Sequence, residues 1–118
     1  NPDFMNKIEM VGNIIESCTF TIIHVNDMLL NNNDVTDTYI NITSSNLAIA
    51  NNTFSELKNN KYIHKFISDD GDDNSYNLYI YNNIVPENTE EVTPGSDNMK
   101  IMYDKESYDE YIKQEFTA

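Results

Sequence analysis

The chain has no arginine and no tryptophan, and only one cysteine, three glycines and three prolines in 118 residues. Each shortage excludes something. Seven lysines stand against twenty carboxylates, a net charge of −13. The cations that phosphate contacts need are therefore missing, and direct binding to nucleic acid or to an anionic membrane surface is not expected. The lone Cys18 can close no internal disulfide, which fits a reducing compartment. Gly12, Gly71 and Gly95 lie far apart, so no glycine-rich loop is available to cradle a phosphate. No run approaches 18 apolar residues, and no basic segment leads into an apolar one. Neither a spanning helix nor a signal peptide is read, and a cytoplasmic location, extending to the cytoplasm of an infected host, is the expectation. Asn1–Phe4 reads either as a lead before a natural start at Met5 or as part of an internal fragment.

What is present is acid, asparagine and tyrosine. Residues 69–118 hold thirteen carboxylates against Lys100, Lys105 and Lys113, while residues 1–68 hold seven against four lysines. A field of one sign on one side of a molecule selects partners of the other sign. Nineteen asparagines, with no arginine, match an AT-rich coding sequence of the kind found in phages, large DNA viruses, low-GC bacteria and some protists. Eight tyrosines and five phenylalanines argue against disorder. The length is that of one domain, residues 1–118, able to bury a core without staples.

Periodicity predicts a helix over 3–15: Asn1-Pro2-Asp3 starts it, and Phe4, Ile8, Val11 and Ile15 recur at helical steps. Residues 18–25 read as a strand, rich in β-branched and aromatic types. Asn31–Asp34 is a turn. Residues 38–43 and 47–50 read as hairpin partners. Thr53-x-x-Glu56 has the spacing of a capping box before a short helix at 53–59. Residues 61–67 and 76–84 read as a hairpin across the acidic tip Asp69–Asn74. The stretch 86–98, with Pro86, Pro94 and Gly95, reads as a long exposed loop. Met99–Tyr103 is a strand, and Asp104 caps a terminal helix at 105–116 with Tyr108, Tyr111, Ile112 and Phe116 on its apolar face. No repeat is read. The expected fold is α+β: an antiparallel sheet of five or six short strands, with N-terminal and C-terminal helices packed on one face.

Motifs for chemistry are weak. Asp69–Asn74 fails the calcium-loop pattern, because Gly71 is third rather than sixth and the twelfth residue is Ile80. Cys18 and His24 share a strand face but lie about 20 Å apart at about 3.3 Å per residue, too far for a dyad. They read as a buried cysteine and a rim histidine. Two histidines and one cysteine have no metal-ligand spacing, and the sequons at Asn41 and Asn51 are of the number that chance supplies. No catalytic residue, metal or cofactor is assigned.

The remaining reading is a non-enzymatic binding module. Asp69, Asp70, Asp72, Asp73, Glu87, Glu90, Glu91, Asp104, Glu106, Asp109 and Glu110, with Tyr108 and Tyr111 as anchors, are the candidate partner-binding residues. Gathered on one flank, these acids would imitate nucleic-acid phosphates and occupy the basic groove of a protein partner, as an inhibitor or a phage or viral anti-defence factor of the anti-CRISPR or anti-restriction type would. The alternative is a structural or regulatory subunit that docks through a tyrosine-rich face or a sheet edge.

Overall fold

The computed structural model describes residues 5–58, 65–69, 77–87, 89–95 and 99–116. Its strands overturn the expected antiparallel α+β arrangement: every strand pair among the described residues is parallel, and the span expected as the N-terminal helix is strand from Met5 onward.

The chain winds in coils. A long strand, β1 (Met5–Val11), turns at Gly12-Asn13 into a short strand, β2 (Ile14–Glu16). A second turn leads to β3 (Thr19–Asn31), then β4 (Asp34–Thr36), then β5 (Tyr39–Ala50), then β6 (Thr53–Ser55). Long strands stack on long and short on short. Met5 pairs with Val25, Ile14 with Asp34 and Thr19 with Tyr39, a step of twenty residues each time. The next coils are less regular. β7 (Lys65–Asp69) and β8 (Asn77–Tyr81) pair with the two halves of β5. β9 (Glu90–Pro94) then lies on β7, and β10 (Lys100–Met102) on β8. Parallel strands repeated at this step form a solenoid, in which each coil buries its apolar side only by stacking on its neighbours.

The core is built from columns. Ile8, Met28, Leu47, Leu78 and Ile101 are successive register partners, as are Met10, Leu30, Ile49 and Ile80. Ile15, Val35 and Phe54 form the column of the short strands. Inward residues alternate at period two, as strands require. This explains the failed helix at 3–15. Ile8 and Ile15 do point at the core, but from two different strands. Val11, between them, is 48% exposed, and Gly12 turns the chain at φ +72°. A helical spacing arose from two strands and a corner.

The other differences share that cause. Thr53, read as a helix cap, is a strand residue paired with Asp34 and bridged to Ile84. The expected pair 38–43 and 47–50 is one strand, β5. β7 and β8 do not pair as a hairpin; each lies parallel on β5, and residues 61–64 and 70–76 of that reading fall outside the described residues. The supposed loop 86–98 contains β9. The terminal helix stands as expected: α1 (Lys105–Glu115) is capped by Asp104, whose carboxylate accepts from the Ser107 N–H at 2.9 Å.

α1 lies along the stack on the outside of the long strands. Tyr108 stacks near Tyr81, and Tyr111 stacks on Tyr79 with ring centroids 4.3 Å apart. The Tyr111 hydroxyl reaches two coils further, donating to Asp27 at 2.8 Å. Lys7, in the first coil, donates to the Glu115 carbonyl. Eleven helical residues span about 16 Å, close to the ~14 Å that three strand spacings cover. The helix is a strut tying coil four to coil one.

Candidate functional site

The first corner of each of the first four coils is held by asparagine. Gly12, Asn32, Asn51 and Asn82 adopt positive φ there, a conformation that glycine and asparagine tolerate best. The next residues, Asn13, Asn33, Asn52 and Asn83, turn inward and bond to one another up the stack. The Asn13 backbone N–H and Nδ2 both donate to Asn33 Oδ1, at 2.9 and 3.2 Å. Asn33 repeats this onto Asn52, and Asn52 onto Asn83. Each Nδ2 also donates back to the coil before it: Asn33 to the Met10 carbonyl, Asn52 to Leu30 and Asn83 to Ile49. Asn33 and Asn52 are buried, and a buried amide is stable only when such partners are complete.

The ladder has a direction and two ends. At the late end, the Asn83 side chain bonds to Glu91 on β9. Burial pushes the Glu91 carboxyl above its ordinary range, opposed by that hydrogen bond, and its Oε2 is buried with no partner among the described residues. At the early end, no described residue donates to Asn13 Oδ1. A shallow cavity of about 240 Å³ opens at this corner, with Asn13, Ile14, Asn32, Asp34 and Asn51 in its wall.

The early end is also where the core columns stop. Ile8, Met10 and Ile15 are only partly buried, whereas Met28, Leu30, Val35, Leu47 and Ile49 on the same columns are fully enclosed. Ile14 is 74% exposed beside them. β1 and β2 are the end strands of their sheets, so among the described residues each has one edge of backbone N–H and C=O groups without strand partners. Among the described residues, apolar columns, strand edges and the first rung of the ladder thus meet at β1 and β2.

Asp69, read as a solvated loop tip, is fully buried, and its carboxylate accepts from the Ser44 backbone N–H at 3.3 Å and from Ser44 Oγ at 2.9 Å. Asp70, Asp72 and Asp73 lie outside the described residues. Glu87 is exposed. Glu90 is exposed and accepts from Thr93 Oγ1 at 2.9 Å. Glu91 is half-buried at the ladder. Asp104 is occupied as the helix cap, and the Ser107 N–H holds its carboxyl below the usual range. Asp109 pairs with Lys105, and Glu115 with Lys7 at 3.8 Å. Glu106 and Glu110 are exposed on α1, with no cation of the described residues on them. Tyr108 and Tyr111 face the sheet and are buried, so both support the helix from beneath. Burial and the hydrogen bond to Asp27 push the Tyr111 hydroxyl far upward.

Cys18, read as buried, is exposed, with Sγ 3.8 Å from Thr38 Oγ1. His24 sits at positive φ in a bulge of β3 and is exposed. Among the described residues no three of His, Cys, Asp and Glu come together as a metal site, and no helix is long and apolar enough to cross a membrane.

Sequence reasoning missed the ladder and the open end. The available signal was the four pairs Gly12-Asn13, Asn32-Asn33, Asn51-Asn52 and Asn82-Asn83, each directly ahead of a short strand or bridge, at steps of 20, 19 and 31 residues. No protein-family model, curated protein or solved structure matches the chain.

Proposed function

We propose that this protein is a non-catalytic β-solenoid module that binds another protein through the exposed apolar face at β1 and β2. The observation that carries the reading is the exposure of Val11 and Ile14 beside edges of β1 and β2 that have no strand partner among the described residues. Apolar side chains next to strand edges form a template for strand addition, in which main-chain hydrogen bonds give affinity and alternate side chains give specificity. This is the sheet-edge form of the structural-subunit reading. Its tyrosine-face form has less support, because α1 already covers Tyr79 and Tyr81.

A second reading keeps the electronegative surface. Glu106 and Glu110 on α1, with Glu87 and Glu90, are exposed carboxylates able to engage a basic groove as an inhibitor would. The two readings separate in one experiment. Partner capture from lysate is compared for the native chain, the double variant Val11→Lys with Ile14→Lys, and the double variant Glu106→Gln with Glu110→Gln, each across a salt gradient. The edge reading expects one identified protein to be lost from the lysine variant alone and to resist salt. Loss from the glutamine variant with release by salt supports the acidic reading instead. Capture unchanged by both variants removes both.

A further inference from the structure

The cavity at the first corner has a polarity of its own, set by which hydrogen-bonding groups are already used. We infer that it receives a basic side chain, lysine or arginine, from a partner protein. This rests on the docking reading above, with which it shares Ile14, and adds the charge of the partner.

The room comes from one missing side chain. Gly12, Asn32, Asn51 and Asn82 hold corresponding corner positions, all at positive φ. Three carry amides and the first carries none. A Cβ placed on Gly12 would meet no atom within 4 Å. The cavity of about 240 Å³ runs from that gap to Asp34, Asn51 and Thr53. Its wall is made by residues of coils one to three, on the side of the stack and not on its end. Small-molecule sites are larger, about 300–1,000 Å³, and mostly apolar. This one is polar and suits a single side chain presented by a macromolecule.

The wall is short of donors. Of its eight residues, all but Ile14 give their backbone N–H to an acceptor inside the fold. The Asn33 amide donates to the Met10 carbonyl and to Asn52 Oδ1. Asn13 and Asn51 each donate through Nδ2, to Asn33 and Asn31. No lysine lines the cavity. Asp34 is the one carboxylate in the wall, exposed and with no cation of the described residues on it. An anion would meet an acid and few donors there. A cation meets the carboxylate, with the Asn32 amide and the Thr53 hydroxyl as further acceptors.

Apolar side chains frame the acid. Ile14, Asp34, Thr53 and Ile84 are register partners in one outward column, because Ile15, Val35 and Phe54 beside them turn to the core. Ile14 and Ile84 are 74% and 65% exposed. The stem of a lysine or arginine packs on such apolar surface while its head reaches the charge. A net charge of −13 draws a basic partner in and opposes a second copy of this chain.

The test uses the peptide acetyl-TVKVT-amide and the same peptide with its lysine acetylated, which keeps the stem and loses the charge. Each is titrated into the isotope-labelled full chain at concentrations on the order of millimolar, and backbone and side-chain amide shifts are read. The lysine peptide should shift residues 12–14, 32–34 and 51–53. The acetylated peptide should bind about fivefold more weakly, as loss of an exposed ion pair predicts. Asp34→Asn should abolish that preference. Asp34→Lys should reverse it, favouring a peptide with glutamate in place of the lysine. Gly12→Asn restores the amide that the other three corners carry and should block both peptides. Glu9→Gln, at an exposed acid elsewhere on β1, should change nothing. Hydrogen exchange at Asn33 and Asn52 shows whether each variant keeps its fold; where Gly12→Asn disturbs the corner, the two Asp34 variants decide. Equal binding of the two peptides, shifts spread over the other acids, or indifference to Asp34→Asn overturns the inference. So does calcium or spermidine shifting the same amides more strongly than the peptide, which would make the groove a small-cation site. Sedimentation showing that a second copy occupies the groove overturns it as well. Peptide failure with capture still dependent on Val11 and Ile14 removes this inference alone. Peptide binding with capture indifferent to Val11 and Ile14 removes the edge reading alone.

Discussion

Coil one and coil two have the same design and opposite surroundings. Asn13 and Asn33 begin the same inner ladder, Met10 and Leu30 share one column, and Ile15 and Val35 share another. Asn33, Leu30 and Val35 are buried, whereas their coil-one counterparts are partly or largely exposed. The contrast separates what a coil's sequence contributes from what a neighbouring coil contributes. Local sequence sets the corner, because the turn residues are alike in both. Burial, and with it most of the free energy, comes only from having a coil on each side.

The sharpest way to break the comparison is to remove the same side chain at both depths. Asn52→Ala deletes four hydrogen bonds in a dry interior and leaves the Asn33 N–H and the Leu30 carbonyl without partners. Each buried orphan costs about 1–3 kcal/mol, so a loss of roughly 3 kcal/mol or more is expected. Asn13→Ala removes one bond at a wet edge, from Nδ2 to Asn33 Oδ1, where water replaces it, and is expected to cost no more than about 1 kcal/mol. Urea unfolding of the two variants measures the difference. Equal losses would mean that the first coil is as enclosed as the third.

A smaller effect tests whether α1 binds the coils together. Tyr111→Phe keeps the ring stacked on Tyr79 but removes the hydrogen bond to Asp27. Asp27 retains the donor from Asn46, so the expected cost is about 1.5–3 kcal/mol, at the level of a bond to a charged group. Exchange should rise along α1 and at the outward positions of coils one and two, while the Asn33–Asn52 interior stays protected. A loss spread evenly over the molecule would show that the helix and the solenoid unfold as one unit and not in steps.

Legibility in the sequence follows the range of the forces involved. α1 was readable because its cap, its stripe and its charges are all local: Asp104 bonds three residues away and Lys113 stands in the last turn. Strands 18–25 and 76–84 were readable by composition. Parallel pairing was not, because partners nineteen or more residues apart leave no turn signature between them, and the short links at Asn32-Asn33 look like ordinary hairpin turns. Thr53 to Glu56 mimics a helix start, since a capping box records two residue types and carries no information about the strand waiting alongside. Asp69 looked solvated because it opens an acidic run, yet it folds back onto Ser44. Asparagine abundance was credited to codon usage, and its spacing, where the ladder was written, went unused.

Glu91 carries the smallest expected effect and probes the far end of the ladder against the near one. Its carboxyl takes the place that the next asparagine would fill above Asn83, with one oxygen bonded and the other buried without a described partner. Burial raises its pKa in the folded chain, while the unfolded chain keeps the ordinary value. Between the two values the folded state holds a proton that the unfolded state has released, so stability is present on the acid side and falls as pH rises through that window. Glu91→Gln holds the amide partner without the charge. It should therefore stabilise the protein at neutral pH and flatten the dependence of stability on pH just above the usual glutamate range. Unfolding midpoints of both forms across that range give the comparison. A glutamine variant that is less stable at neutral pH would mean that the carboxylate is paired there and that the ladder ends on a salt link instead of a strained acid. The same substitution logic at Asn13, where the ladder meets water, should show no pH dependence, which makes the two ends distinguishable by titration alone.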